Sequence, residues 1–67
     1  MTALTAKPIE VQEVRRMAGL CEAHLRYAAG CKDAGQTGAR LIHQQLARDY
    51  SHAAFAIVRR IATRSQA

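Results

Sequence analysis

The chain has 67 residues, which excludes a second domain, and a core of this size supplies only about 3–5 kcal/mol of stability. Hydrophobic residues make up 49% of the chain but few are aromatic, so its Ala- and Leu-rich composition predicts an all-α protein. The formal charge is +5, and residues 35–67 carry five arginines against Asp49 alone, an excess that attracts phosphate or an acidic protein surface.

The first helix is predicted over about residues 8–29. Pro8 suits the first position of a helix, where its missing N–H costs nothing, and Glu10 follows in the first turn, where the helix dipole favours negative charge. Gly30 is the residue expected to end this helix in a left-handed conformation. Spacings of three and four residues form one apolar stripe of Val11, Val14, Ala18, Cys21, Leu25 and Ala28.

A loop over residues 30–37 and a second helix over about 38–63 follow. The loop region is rich in glycine and has no apolar periodicity, and Thr37 is the expected N-cap of the second helix. The apolar stripe of this helix is Ile42, Leu46, Tyr50, Ala53, Ile57 and Ile61. A short loop between two long helices predicts one domain over residues 1–67, an antiparallel, coiled-coil-like hairpin.

Both predicted helices carry more apolar surface than one helix–helix seam can cover. At 100° per residue the first helix is apolar over roughly 200°, about twice what packing on one partner helix needs. We therefore expect an oligomer in which a larger protein, or a second copy in a homodimer, completes the hairpin. The predicted partner-binding residues are Leu20, Tyr27, Leu41, Phe55, Val58 and Ala62.

The residues with reactive side chains do not assemble into a chemical site. On one helix Cys21 and Cys31 would lie about 15 Å apart, so free thiols are predicted. Cys21 and His24 share a helical face, but the second ligand pair of a zinc site is missing. The run from Asp49 to His52 points its side chains 100° apart, which prevents a catalytic triad. The sequence thus predicts a non-enzymatic protein with no catalytic residue, metal or cofactor.

One face of the second helix is basic. Arg48, His52 and Arg59 share it and are candidate contacts for an anionic partner. The alternative function is therefore a small nucleic-acid-binding regulator, either a dimeric helical bundle or a helix-turn-helix protein. The latter requires a break near Ser51, which no glycine marks. A phage or plasmid protein that inhibits a host protein is a third possibility, which the residues do not distinguish from an adaptor.

Targeting signals are not expected from this sequence. Lys7 and Glu10 interrupt the region where a signal peptide would need its apolar run. The longest strongly apolar stretch, residues 53–58, falls far short of the ~20 residues that cross a bilayer. We expect a cytoplasmic protein that does not bind a membrane.

Over residues 9–62 the pattern resembles the small helical-hairpin subunit of the type III secretion needle co-chaperone family. The similarity lies in the Val14-Arg15-Arg16 start, the stripe over residues 25–28 and the apolar run over residues 54–61. The resemblance implies that the hairpin docks on a larger tetratricopeptide-type chaperone, and that the pair keeps the needle subunit monomeric until export. It makes Phe55, Val58 and Ala62 docking residues. The two cysteines and the basic second helix depart from the family pattern, and the latter suggests an acidic counterpart.

Overall fold

The computed structural model describes residues 5–66, which form two helices. Helix α1 spans Pro8–Asp33 and helix α2 spans Thr37–Ser65. The two helices pack against each other along their length in an antiparallel hairpin, which confirms the predicted all-α class. Residues 1–4 and 67, which belong to the predicted domain, lie outside the described residues.

Helix α1 begins where the sequence predicts. Pro8 occupies the first turn, and the backbone N–H of Lys7 donates to the Glu10 carboxylate at 2.9 Å. This side chain therefore satisfies a backbone group that the helix itself leaves without a partner.

The connection between the helices lies further along the chain than predicted. Gly30 does not end α1; the helix continues to Asp33, and Gly35 takes the left-handed position with a φ of 73°. The Gly35 N–H donates to the Lys32 carbonyl at 3.1 Å and the Gln36 N–H to the Cys31 carbonyl at 2.8 Å, which is a Schellman motif.

The same motif corrects the prediction for the start of α2. Thr37 is the first residue of this helix and not its N-cap, because the chain enters α2 directly from Gln36. The Arg40 N–H donates to the Gln36 carbonyl at 3.0 Å. Gln36, the last residue of the Schellman motif, therefore already accepts the first hydrogen bond of α2.

Few hydrophobic side chains of residues 5–66 are buried in the seam between the helices, and two of the three are alanines. Among the described residues the buried hydrophobic ones are Ala28, Ala47 and Ile61, and no large side chain is fully buried. Large hydrophobic side chains that remain 44–62% exposed are Ile9, Leu25, Tyr27, Leu41, Ile42, Phe55 and Val58. Two helices alone therefore leave seven of their large apolar side chains largely in contact with water.

The predicted apolar stripes are only partly the seam. Ala28 and Ile61 are buried as expected, but Ala18, Leu25 and Ile42 are exposed. Ala47 lies in the seam instead. At 100° per residue, α2 is therefore turned about its own axis by roughly 70° from the orientation in which the centre of its predicted stripe would face α1. The stripe prediction was wrong here because alanine lets the two backbones approach more closely than leucine or isoleucine does.

The hairpin is long and thin. Its principal extents are 49 × 18 × 16 Å and its radius of gyration is 15.3 Å, against about 11 Å for a compact domain of this length. In residues 5–66, neither helix is long and apolar enough to cross a membrane. The shape leaves both flat sides of the helix pair accessible.

Candidate protein-binding groove

An apolar groove runs between α1 and α2 on one side of the hairpin. It consists of two adjoining hollows of about 310 Å³ each, which share Val58. The hollow nearer the middle of the hairpin is lined mainly by Ala18, Cys21, Leu25, Ala54, Phe55 and Val58. The hollow nearer the chain termini is lined mainly by Val11, Val14, Val58, Ile61 and Ala62.

The sequence creates the groove by alternating small and large side chains. Ala18 on α1 and Ala54 on α2 leave space between the helices, whereas Leu25 and Phe55 project at its edges with exposures of 54% and 61%. Val58 follows Phe55 by three residues and therefore lies on the same side of α2. The result is a concave apolar surface with exposed large side chains on both of its walls.

The predicted partner-binding residues divide between different surfaces. The structure brings Phe55, Val58 and Ala62 together in the groove. Leu20 and Tyr27 lie roughly 150° around α1 from Leu25, at 100° per residue, and so face the opposite side of the hairpin. Of these two, Tyr27 is 58% exposed and Leu20 is half-buried.

Leu41, the remaining predicted partner-binding residue, lies outside the groove. It is 52% exposed on the first turns of α2, near the loop. The predicted set of six residues is therefore not a single contact surface.

A pair of histidines joins the two helices on the side opposite the groove. The Nδ1 atoms of His24 and His43 lie 2.8 Å apart in a half-buried hydrogen bond, which requires one ring nitrogen to donate and the other to accept. The Tyr50 ring stacks on His24 with centroids 5.7 Å apart, and Tyr27 contacts both histidines. This pair was missed from the sequence because His24 was considered only as a possible zinc ligand beside Cys21 and His43 was not placed on any surface.

An ion pair closes the open end of the hairpin. The Arg64 guanidinium donates to both carboxylate oxygens of Glu10, at 2.5 and 3.2 Å, and also to the Thr5 carbonyl. The hydrogen bond from Arg64, with that from the Lys7 N–H, lowers the pKa of Glu10 from 4.5 to about 2. The Thr5 N–H donates to the buried Ser65 hydroxyl at 2.8 Å, so the segment before α1 is tied to the end of α2.

Arginines without a carboxylate partner stand at the edges of the groove. Arg15 lines the groove on α1, and within the described residues neither it nor Arg59 forms an ion pair. Arg48 donates to the side-chain oxygen of Gln45 at 3.3 Å and forms no ion pair with another described residue. Arg48, His52 and Arg59 are all exposed, as their predicted role in contacting an anionic partner requires.

Apart from the histidine pair, the chemically reactive side chains of residues 5–66 do not form a common site. Cys21 and Cys31 are both free thiols. Within residues 5–66, no three His, Cys, Asp or Glu side chains are grouped so that they could hold a metal ion. Asp49 accepts a hydrogen bond from Gln45 at 2.9 Å, and no hydrogen bond links it to His52.

Fold and groove together define a small all-α hairpin with an open apolar groove and a basic rim. Comparison of the chain with models of known protein families, with curated proteins and with solved structures finds no match. The shape, apolar lining and charged edges of the groove are therefore the observations on which a functional proposal rests.

Proposed function

We propose that the chain is a non-enzymatic protein-binding adaptor whose groove receives one amphipathic helix of a larger protein. The observation that carries this proposal is the exposure of Leu25, Phe55 and Val58 around a groove between two helices. Contiguous exposed apolar surface is typical of interaction sites on proteins.

A helix is the element that fits the groove. From Val11 to Leu25 the groove is about 21 Å long at 1.5 Å per residue, which corresponds to about four turns of a partner helix. Covering the exposed parts of Leu25 and Phe55 contributes about 1–1.5 kcal/mol for each side chain. A third helix in the groove therefore supplies the core that the hairpin lacks.

The more specific form of the proposal is a cytoplasmic co-chaperone role like that of the needle co-chaperone family. The exposure of Phe55 and Val58 along the groove supports it, since these are docking residues that the resemblance implies. In that role the helix in the groove belongs to the larger chaperone subunit.

Two aspartate variants test the groove. Phe55→Asp introduces a charge into it, whereas Ile42→Asp is the matched control, because Ile42 is equally exposed, at 62% against 61%, and lies outside the groove. After affinity capture and purification of a bound protein, we expect Phe55→Asp to weaken its binding at least tenfold, about 1.4 kcal/mol, and Ile42→Asp to change it less than threefold. Circular dichroism should show equal helix content in both variants.

The same variants can refute the proposal. Equal loss of binding in both would show that the groove is not the docking site. If the wild-type chain sediments as a dimer and Phe55→Asp as a monomer, then a second copy occupies the groove.

Nucleic-acid binding is the second candidate function. It is favoured by Arg59 and Arg60, which are adjacent, exposed and without a carboxylate partner in the described part of the chain. Phosphate-driven binding to a duplex should weaken by powers of ten between ~50 and ~200 mM salt, whereas binding through the apolar groove should change little.

A further inference from the structure

We infer that the helix received by the groove carries acidic side chains along its edges, and that a second copy of this chain is not its occupant. The inference rests on the proposed function and specifies the chemistry of the partner. It is supported by the charges around the groove and by the way the chain uses its own carboxylates.

The positive charges stand where the edges of a bound helix would lie. Arg15 lines the wall of the groove on α1. Glu22 also lines this wall, but its carboxylate pairs with Arg26 at 2.6 Å. On α2, Arg59 follows Phe55 by one turn and Arg48 precedes it by two turns, so both lie within roughly 40° of Phe55 around the helix, at 100° per residue. Both of these arginines are exposed. A helix in the groove therefore meets arginines on both sides.

The chain has few carboxylates left to neutralise these arginines. Of its five acidic residues, three form ion pairs with its own arginines: Glu10–Arg64 at 2.5 Å, Glu13–Arg16 at 3.1 Å and Glu22–Arg26 at 2.6 Å. The fourth, Asp49, accepts a hydrogen bond from Gln45. The fifth, Asp33, is the last residue of α1 and lies next to the loop.

A second copy would therefore bring arginines that have no carboxylate partner within residues 5–66 next to the same arginines of the first copy. Each copy carries a formal charge of +5, and like charges across an interface disfavour association. A partner helix with Glu or Asp beside its apolar stripe supplies the missing carboxylates without breaking any of the three ion pairs. Charge complementarity thus selects an acidic amphipathic helix over self-association.

Three synthetic peptides test this inference. Each has about 18 residues, enough to exceed the length of the groove, and all share one leucine stripe; the positions beside the stripe are Glu in the first peptide, Gln in the second and Lys in the third. Binding to the full chain is measured by fluorescence anisotropy at ~50 and ~300 mM salt. We expect the Glu peptide to bind at least tenfold more tightly than the Lys peptide at low salt, with the difference shrinking at high salt.

Two neighbouring arginines provide a matched pair of variants. Arg59→Glu and Arg60→Glu make the same change in net charge, but at 100° per residue Arg60 points away from the groove side of α2. We expect Arg59→Glu to weaken binding of the Glu peptide at least fivefold and to leave binding of the Gln peptide unchanged. Arg60→Glu should alter both less than twofold.

The outcomes separate the inference from the proposed function. If all three peptides bind equally and Phe55→Asp abolishes their binding, the groove is a docking site but the acidic partner is wrong. If no peptide binds, or if Phe55→Asp has no effect, the proposed function itself fails. Equal weakening by Arg59→Glu and Arg60→Glu, together with tighter binding of a DNA or RNA duplex than of any peptide, would overturn the inference in favour of nucleic acid.

Discussion

Replacement of Ala47 by leucine should test the closeness of the two helices. Ala47 is 2% exposed and lies in the seam of a hairpin in which Ala28 and Ile61 are the other buried hydrophobic residues among those described. Leucine adds three carbon atoms where the two backbones approach each other. The added volume forces the helices apart or drives the new side chain into an unfavourable rotamer.

The loss of stability expected for Ala47→Leu is large for a chain of this size. Overpacking of a well-packed seam costs about 1–3 kcal/mol, and the whole domain has only about 3–5 kcal/mol to lose. A destabilisation of about 2 kcal/mol should lower Tm by roughly 8–16 °C. Ala56→Leu is the control, because Ala56 is exposed on the same helix and such surface changes stay within about 0.5 kcal/mol.

The Tm of both variants is measured by thermal unfolding, followed by circular dichroism at 222 nm with protein on the order of 10 μM. The wild type and Ala56→Leu should melt within a few degrees of each other, and Ala47→Leu well below them. An unchanged or raised Tm for Ala47→Leu would mean that the seam has room for a large side chain. The rotation of α2 that places Ala47 in the seam would then be wrong.

Two further changes address contacts between the helices, one at the open end of the hairpin and one nearer the loop. Because the pKa of Glu10 is lowered to about 2, its ionised form stabilises the fold, fully above about pH 4.5 and progressively less as the pH falls through 2. The Tm of wild type should therefore exceed that of Glu10→Gln at pH 6, and this difference should shrink between pH 4.5 and pH 2. A difference independent of pH would show that the ion pair with Arg64 does not stabilise the hairpin. His43→Ala should lower the free energy of unfolding by about 1–3 kcal/mol, because it leaves the half-buried His24 nitrogen without a partner. His52→Ala, at an exposed position, is the control and should leave Tm unchanged. Equal Tm values for the two variants would refute a stabilising histidine pair.

A helix end was predictable from sequence where a residue is favourable at one position of a helix only. Pro8 has no N–H to lose at the first position of a helix, and it is found there. Gly30 and Gly35 were both able to end α1, since either can adopt a left-handed conformation. Gly35 does so, and only the path of the chain into α2 distinguishes the two glycines.

The groove was predictable in part. Phe55 and Val58 were identified because they lie outside the apolar stripe of α2 at helical spacing, and the structure places them side by side. Leu20 and Tyr27 were grouped with them although they face the other side of the hairpin. A helix that is apolar over roughly 200° has no unique seam, so the sequence leaves the rotation of each helix undetermined.

Composition and periodicity by themselves determined the all-α class, the number of helices in the described part of the chain and the excess of apolar surface, because these depend on residues close together in sequence. The tertiary structure alone decided which apolar residues meet in the seam and which line the groove. It also decided that His24 meets His43 and that Glu10 meets Arg64. Those pairings join residues 19 and 54 positions apart, and they depend on how closely two alanine-lined backbones approach.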